Sequence, residues 1–266
     1  MIHPTAIVAP GAELGSDVAV GPYAVIEEHV TLEDGCRVGP HAHLSGHTRI
    51  GAGTQIHTGA VVGGVPQDVN YTGGESYTVV GPKSIIREYV TIHRGTDPGS
   101  TTEIGGGVML MAMCHVGHNC CLGDNVVIAN ATLLAGHVQL GERAFLSGNV
   151  MVHQFVRIGP VAMIHAGEPV SQDVPPYCML AERRIRGPNT IGLRRAGMDP
   201  DTRTAIRGAI KAYYGEGLNR HNALKKIQEE HGDVPEVAVF CEFIATTERG
   251  VMPGRLRPAG GKGARG

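Results

Sequence analysis

An aliphatic residue stands at every sixth position through the first two thirds of this chain, and the phase of the repeat is never lost. A period of six differs from the helical period and from the two-residue alternation of a strand, but it is the signature of a hexapeptide-repeat parallel β-helix. The sequence therefore predicts an all-β solenoid. The repeated aliphatic positions are Ile2, Val8, Leu14, Val20, Ile26, Leu32, Val38, Leu44, Ile50, Ile56, Val62, Val80, Ile86, Ile92, Ile104, Leu110, Val116, Leu122, Ile128, Leu134, Leu140, Leu146, Val152, Ile158 and Ile164.

Most hexads carry a second, smaller or β-branched side chain four residues after the aliphatic one, such as Ala6, Ala24 and Cys114. A large and a small inward residue suit a narrow coil of triangular section, and glycine supplies its tight corners. Three hexads make one coil, so residues i and i+18 should stack at about 4.8 Å, the spacing of paired strands. This rule converts sequence positions into spatial neighbours.

The composition suits a long, thin aliphatic core, because 42% of the 266 residues are hydrophobic and only 4% are aromatic. Charge is unevenly distributed: residues 1–182 hold 7 Lys and Arg against 16 Asp and Glu, and residues 183–266 hold 16 against 9. The net charges are therefore −9 and +7. A basic C-terminal end suits an acidic protein or a phosphorylated ligand. No basic repeat is interleaved with aromatic residues, so we expect no nucleic-acid partner.

The chain shows no stretch of eighteen apolar residues, and its first residues already belong to a hexad. We therefore predict no stable membrane insertion and a cytoplasmic location. Cys36, Cys114 and Cys120 occupy small inward positions, where a thiol acts as a compact hydrophobic group. The other three cysteines have no zinc-type spacing, so we predict no metal site.

Three domains are predicted along the chain. The hexads end near Pro175 and Pro176, which remove backbone donors, so the β-helix is assigned to residues 1–176. A C-terminal helical domain follows at 177–250, with Asp199 and Pro200 as a helix start and with two further helices centred on Leu224 and Phe240. Residues 251–266 are rich in Gly, Arg and Pro and predict a disordered tail.

The candidate site lies where the repeat is interrupted, at about 63–78 and 98–102, because insertions in repeat proteins project from one face, often the binding face. Close by, His118 occupies an outward position in its hexad. Adding eighteen twice places Gly136 and then Gln154 in a column with it. An outward imidazole can take a proton from a hydroxyl, and a glycine N–H can donate to a developing oxyanion. This column suits acyl transfer without a protein nucleophile; packing of corner histidines between subunits is the alternative interpretation.

Eight segments of this chain resemble one family closely, the acyl-[acyl-carrier-protein]–UDP-N-acetylglucosamine O-acyltransferases that begin lipid A synthesis. The resemblance runs from the first residue to about Gly250 and implies a left-handed β-helix, a homotrimer, and active sites in clefts between subunits. The matching segments are His3–Ala6, Gln67–Asp68, Val90–Thr96, the His115 and His118 pair, Leu134–Val138, Val152–Phe155, Gln172–Tyr177 and Gly192–Arg195.

The resemblance also assigns roles to individual residues. His118 is similar to the general base that deprotonates the glucosamine 3-hydroxyl, and Gly136 N–H to the oxyanion donor. The acyl donor is an (R)-3-hydroxyacyl group on the phosphopantetheine of acyl carrier protein, so no separate cofactor is expected; the acidic carrier suits the basic C-terminal end. Residues similar to contacts with the sugar or acyl-pantetheine are Asp68, His115, His137 and Gln154. Those similar to nucleotide and phosphate contacts are Asn189 and Arg195.

Three positions differ from the family pattern. Asn119 stands where an aspartate is common after the base, Asn70 where a lysine is common, and Ile191 where a glutamate is common. These differences leave open a variant acceptor, such as a 3-amino nucleotide sugar that would yield an amide product. Lineage drift with compensating contacts is the simpler explanation.

Two other functional classes remain open at this level. Trimeric left-handed β-helix proteins include zinc carbonic anhydrases, and His115, His118 and His137 are a conceivable ligand set. A catalytically silent relative that only holds a carrier protein is the other alternative. The eight matching segments favour the acyltransferase over both.

Overall fold

The computed structural model describes residues 1–254, and these form a solenoid of short strands followed by four helices. Its coils make a left-handed parallel β-helix, which confirms the predicted architecture. The strands build three sheets, and successive strands of the chain move from one sheet to the next. The first sheet contains β1 (Ile7–Val8), β4 (Val25–Ile26), β7 (His43–Leu44), β10 (Val61–Gly64), β13 (Thr91–His93), β16 (His115–Val116), β19 (Leu133–Leu134), β22 (Met151–Val152) and β25 (Pro169–Val170).

The other two sheets complete the triangular section. The second contains β2 (Glu13–Leu14), β5 (Thr31–Leu32), β8 (His47–Ile50), β11 (Tyr77–Val80), β14 (Thr101–Ile104), β17 (Cys121–Leu122), β20 (Gln139–Leu140) and β23 (Arg157–Ile158). The third contains β3 (Ala19–Val20), β6 (Arg37–Val38), β9 (Gln55–Ile56), β12 (Ile85–Ile86), β15 (Met109–Leu110), β18 (Val127–Ile128), β21 (Phe145–Leu146), β24 (Met163–Ile164), β26 (Cys178–Ala181) and β27 (Arg184–Pro188).

Turn segments join the sheets at three corners. The first corner joins the first sheet to the second and includes residues 117–120, 135–138 and 153–156. The second corner joins the second sheet to the third and includes 123–126 and 159–162. The third corner joins the third sheet back to the first and includes 129–132 and 147–150.

The interior is filled as the hexad pattern predicts. Anchors such as Ile26, Leu44 and Leu110 are fully buried, and small partners such as Ala24 and Cys114 are buried beside them. Large aliphatic side chains from the sheets thus alternate with small ones near the corners. This single column of aliphatic side chains removes apolar surface from water along the whole solenoid, which is the main stabilising contribution to such a fold.

Pairing between coils follows the predicted register wherever the repeat is unbroken. Ile7 pairs with Val25, eighteen residues on, and His115 pairs with Leu133 in the same way. The register lengthens to thirty residues between Val61 and Thr91, and to twenty-four between Thr91 and His115. The extra residues form two insertion loops, 65–76 and 94–100, and both leave the solenoid at the first corner.

The solenoid continues beyond Pro175 and Pro176. Strand β26 adds to β24 in parallel, and β27 then pairs with β26 in the antiparallel direction. Residues 251–254 are also ordered, because Val251 forms a bridge with Asp173 and Met252 is buried. The predicted disordered tail therefore does not include these four residues, and its remainder, 255–266, lies outside the described residues.

Four helices follow the strands: α1 (Thr190–Arg195), α2 (Pro200–Gly215), α3 (Arg220–His231) and α4 (Pro235–Ala245). The predicted start of α2 is confirmed, since Asp199 accepts hydrogen bonds from the N–H groups of Asp201 and Thr202. The apolar faces of α2, α3 and α4 pack together around residues such as Ile227 and Phe240. Helix α1 is too short to show a periodic pattern in the sequence. No helix within residues 1–254 is long and apolar enough to cross a membrane.

Candidate active site

His118 lies at the first corner, directly over Gly136 of the next coil. A Cβ atom placed on Gly136 would lie 2.5 Å from His118 Nε2, so only glycine leaves room for this imidazole. The side chain of His118 is 16% exposed and therefore lies at the edge of solvent. Gly136 N–H donates to no acceptor within residues 1–254. The predicted stacking of His118 over Gly136 is thus confirmed.

The Nδ1 atom of His118 is held by its neighbour. It lies 2.9 Å from Oδ1 of Asn119. The same oxygen accepts from the backbone N–H of Thr96 at 3.1 Å and from its hydroxyl at 2.9 Å. Asn119 itself has a φ of 58°, a left-handed conformation that asparagine tolerates better than most residues. The imidazole is therefore oriented by a fixed amide of the same corner.

The Nε2 atom of His118 faces the first insertion loop. Asp68 of that loop places Oδ2 3.9 Å from Nε2, and its other oxygen accepts the N–H of Asn70 at 2.9 Å. The loop is attached to the solenoid through Gln67, whose N–H donates to His93 Nδ1 at 3.4 Å. A carboxylate and an imidazole thus lie side by side at the first corner, and both are partly exposed.

Aromatic rings surround His118. The ring of His137 meets it edge to face at 5.2 Å between centroids, and Phe155 stacks on His137 at 4.6 Å. On the first sheet, His93 and His115 meet edge to face at 4.7 Å between centroids, and His115 Nδ1 lies 2.7 Å from the Thr91 hydroxyl. The first corner therefore presents a wall of flat side chains beside the candidate base.

Three of these imidazoles are kept neutral. Burial, with smaller effects from His115 and His118, lowers the pKa of His93 to about 4. Burial and the neighbouring His118 also lower the pKa of His115 and the pKa of His137, although Asp97 and Asp68 act in the opposite direction on His137. Neutral neighbours place little positive charge beside His118.

The structure brings six of the eight predicted site residues to the first corner or its edges. His118 and Gly136 stack, His137 contacts His118, and Asp68 approaches it from the loop. Gln154 lies one coil beyond Gly136 in an exposed position, as the register predicts. His115 lies on the strand that leads into the corner, in contact with His93. Their individual roles stay predictions.

Asn189 and Arg195 lie elsewhere in the chain. Asn189 caps α1 by accepting the N–H of Gly192 at 3.0 Å, and its side-chain amide donates to the carbonyl of Val161 at the second corner at 2.8 Å. Arg195 ends α1 with an exposed side chain. Within one chain these two residues are therefore held at a different corner from His118.

His93 and Thr96 belong to the site but were not among the predicted site residues. Both lie in the matching segment Val90–Thr96, which was the available signal. The hexad phase could not place Thr96, because it lies in the insertion loop that starts directly after His93, and the path of that loop is independent of the repeat. The sequence analysis also did not predict that Asn119 orients His118, because it treated Asn119 only as a departure from the family pattern.

Within one chain, over residues 1–254, the histidines do not form a metal-binding set. Within the described part of the chain, no three His, Cys, Asp or Glu side chains converge on a point that could hold an ion. The rings of His118 and His137 meet edge to face rather than directing nitrogens at a shared centre. The corner is instead arranged for a base with an orienting acceptor on one nitrogen and an open approach to the other.

Family models and curated relatives agree on the class of protein. A model described as UDP N-acetylglucosamine O-acyltransferase, domain 2, matches residues 173–252, and a model for bacterial transferase hexapeptide repeats matches 29–64 and 101–136. The acyl-[acyl-carrier-protein]–UDP-N-acetylglucosamine O-acyltransferase of Janthinobacterium sp. is 41% identical over 95% of this chain and 99% of its own length. The enzyme of the same name from Herminiimonas arsenicoxydans is 42% identical, with the same coverage.

A solved structure gives the same result. The UDP-N-acetylglucosamine acyltransferase of Bacteroides fragilis superposes with a TM-score of 0.92 at 37% identity, covering 95% of this chain and all of that one. Sequence identity at this level over nearly complete chains and a shared fold identify the same class of enzyme. This chain therefore belongs to the family of acyl-[acyl-carrier-protein]–UDP-N-acetylglucosamine O-acyltransferases.

Proposed function

We propose that this protein moves an (R)-3-hydroxyacyl group from acyl carrier protein to the 3-hydroxyl of UDP-N-acetylglucosamine, the first step of lipid A biosynthesis. The observation that supports this most strongly is the first corner, where His118 lies over Gly136 with Nδ1 held by Asn119 and Nε2 open toward Asp68. The names of the relatives supply the donor and the acceptor. The geometry supplies a base and an N–H donor without a protein nucleophile.

In this mechanism Nε2 of His118 takes the proton of the sugar 3-hydroxyl, and the oxygen attacks the thioester carbonyl carbon. A tetrahedral oxyanion forms, and the N–H of Gly136 donates to it. Collapse of this intermediate breaks the carbon–sulfur bond, and the departing thiolate receives the proton from the imidazolium. The products are an oxygen ester and the free thiol of the carrier. The pantetheine arm arrives on the carrier, so no further cofactor takes part.

The surrounding side chains suit binding of the two substrates. Asp68 is a hydrogen-bond acceptor for sugar hydroxyls, and Gln154 offers an exposed amide one coil away. The flat wall of His137 and Phe155 suits the apolar or amide portions of acyl-pantetheine. His115, whose Nδ1 is engaged by Thr91, supports the wall from the first sheet.

The outward faces of the solenoid support a homotrimer. The second sheet points polar or charged residues outward in most coils, including Glu13, Arg49 and Glu103. The other two sheets are mainly apolar outside, and Leu133 and Met151 are about half exposed. Contact between the first sheet of one copy and the third sheet of the next is heterologous and closes into a ring. The outward apolar residues include, on the first sheet, Ile7, Val25, Val61, Leu133 and Met151, and, on the third sheet, Ile85, Met109, Val127, Phe145, Met163 and Met179.

Such a ring would complete the active site. The first corner lies at the outer edge of the first sheet, and the second corner lies at the outer edge of the third sheet. A contact between these sheets brings His118 of one copy near Asn189 and Arg195 of its neighbour. We propose that Arg195 contacts the nucleotide phosphates there, with Asn189 holding α1 in place. This accounts for the separation of the two groups within one chain.

A basic groove beside α1 suits the carrier protein. Arg194, Arg203 and Arg207 line a cavity of about 500 Å³ together with Thr190 and Thr204. These guanidinium groups form no ion pair with any residue from 1 to 254. An acidic carrier would dock against them by charge complementarity, which raises the association rate. The proposed site of action is the cytoplasm, where the carrier delivers its acyl groups.

The direct test is mass spectrometry of the products formed from UDP-N-acetylglucosamine and a mixture of (R)-3-hydroxyacyl carrier proteins of different chain lengths. An acylated nucleotide sugar that hydroxylamine cleaves is the expected product, and its mass gives the preferred chain. An absence of product with this acceptor, together with an amide product from a 3-amino sugar, would move the assignment to the variant acceptor and draw attention to Asn70 and Ile191.

The trimer is tested by complementation. Chains carrying His118→Ala and chains carrying Arg195→Ala are each expected to be nearly inactive. After joint refolding in equal amounts, about a quarter of the sites would combine an intact His118 from one chain with an intact Arg195 from its neighbour. Recovery of about that fraction of activity supports the shared site. No recovery in assemblies shown to be mixed would overturn it.

A further inference from the structure

The orientation of one amide decides which nitrogen of His118 carries a proton. A neutral imidazole donates at one ring nitrogen and accepts at the other. The side chain of Asn119 offers an oxygen at one end and an NH₂ group at the other, so its two orientations select opposite tautomers of His118. Only the tautomer with the proton on Nδ1 leaves Nε2 free to accept the proton of a hydroxyl.

Thr96 removes this ambiguity. Its backbone N–H can only donate, and it lies 3.1 Å from the Asn119 atom that faces His118. Its hydroxyl lies 2.9 Å from the same atom and 3.5 Å from Oδ2 of Asp97, so the shorter bond is to Asn119. A reversed amide would place NH₂ hydrogens against a backbone N–H. The oxygen of Asn119 therefore faces both Thr96 and His118 Nδ1.

The rest of Asn119 is fixed as well. Its backbone N–H donates to the hydroxyl of Thr102 at 2.8 Å. Thr96 belongs to the second insertion loop, and Thr102 belongs to β14 just beyond the end of that loop. Asn119 is thus hydrogen-bonded to two threonines on either side of the loop end, which links the loop to the first corner.

We propose that Thr96 is a positioning residue for the reaction: by donating two hydrogen bonds to Oδ1 of Asn119, it keeps the proton of His118 on Nδ1. This inference rests on the proposed function, because it acts through His118 as the base. A carboxylate at position 119 would accept a hydrogen bond with either oxygen, so it would not need Thr96 to fix its orientation. The dependence on Thr96 is therefore a consequence of carrying an amide rather than an acid at position 119.

The first test needs no substrate. Histidine-selective ¹⁵N NMR at mildly alkaline pH reports the tautomer of each neutral imidazole, and His118→Gln identifies the His118 signals by their loss. His118 is expected as the Nδ1–H tautomer. His93, whose Nδ1 accepts the N–H of Gln67, is expected as the opposite one and serves as an internal comparison. An Nε2–H tautomer for His118 would overturn the proposal, whether or not the protein transfers acyl groups.

The second test is a double-mutant cycle on kcat. Thr96→Val removes one of the two donors and is expected to lower kcat about three- to tenfold without changing KM. Thr96→Ser keeps both donors and restores kcat. In an Asn119→Asp background, Thr96→Val is expected to lower kcat less than about twofold, since a carboxylate has no orientation to lose.

The matched control is Thr31→Val, which removes a threonine hydroxyl that bonds to Glu13 on the second sheet, far from the loop. Equal losses from Thr96→Val in both backgrounds, or no loss in either, would contradict the proposal. Thermal unfolding of each variant separates loss of structure from loss of orientation. Should Thr96→Val not fold, the wild-type spectrum still decides the tautomer.

Discussion

The first and second corners of the solenoid have the same backbone and different chemistry. At the first corner Asn119 and His137 have φ values of 58° and 60°, and at the second Asn125 and Arg143 both have 57°. The turns are equivalent, and the inward residues beside them are equally buried. Yet His118 and its ring neighbours lie at the first corner, while the second corner serves mainly as a support for α1.

The difference comes from the two insertions. Loop 65–76 brings Asp68 to Nε2 of His118, and loop 94–100 brings Thr96 to the amide beside Nδ1. Both loops leave the solenoid at the first corner. His118, at one of many equivalent repeat positions, therefore has polar partners near both of its ring nitrogens. The repeat supplies a rigid frame, and the departures from the repeat supply the chemistry.

The largest effect is expected from a substitution of His118 at the first corner. His118→Ala removes the proposed general base, so kcat is expected to fall by about 10²- to 10⁴-fold. The core of the solenoid is untouched, and trimers should persist in light scattering. A variant with near wild-type turnover would exclude His118 as the base.

A smaller loss is expected from crowding the base instead of removing it. Gly136→Ala would place a methyl group 2.5 Å from Nε2 of His118, so the ring must move and kcat should fall by about 10²-fold. The matched control is Gly148→Ala at the third corner, an equivalent turn position where the nearest atom, the carbonyl oxygen of Asn130, lies at 3.3 Å.

Steady-state kinetics and thermal unfolding measured on both glycine variants separate the two effects. Gly148→Ala should affect stability alone and leave kcat close to that of the wild type. If the two substitutions lowered kcat equally, the close approach of His118 to Gly136 would have no special importance for the reaction.

The sequence was sufficient to predict the β-helix and the stacking of His118 over Gly136, but not the contacts that the two insertion loops make. Period six specifies which side chains point inward, and therefore that His118 and Gly136 stack, because backbone pairing between coils enforces the register. The paths of the two loops follow no period, so the contacts of Asp68 and Thr96 could not be derived from it. The continuation of the third sheet after Pro176 was also missed, since β26 needs no hexad to pair with β24.

The groove beside α1, near the second corner, should be sensitive to a reversal of charge, which should affect KM for the carrier protein. Arg203→Glu combined with Arg207→Glu reverses two charges in the groove beside α1 and is expected to raise KM for the carrier protein about tenfold, with kcat nearly constant. The effect should weaken at high salt. Lys225→Glu, on α3 and outside this groove, is the control. An unchanged KM in the double variant would locate carrier docking elsewhere.

The smallest expected effect concerns stability at the first corner. Burial lowers the pKa of His93 from 6.5 to about 4, whereas an unfolded chain would bind this proton near 6.5. Between these values the unfolded state binds more protons, so the free energy of unfolding should fall as the pH is lowered through this window. His115 and His137 act in the same direction, because their pKa values are also lowered.

The contribution of His93 can be isolated with His93→Asn, since an asparagine oxygen can still accept the N–H of Gln67 and does not titrate. Thermal unfolding of this variant between pH 7 and pH 4 should show a shallower loss of Tm than the wild type. His41→Asn removes an exposed histidine at the third corner and should leave the wild-type slope unchanged. Equal slopes in all three proteins would mean that burial of His93 does not link its protonation to folding.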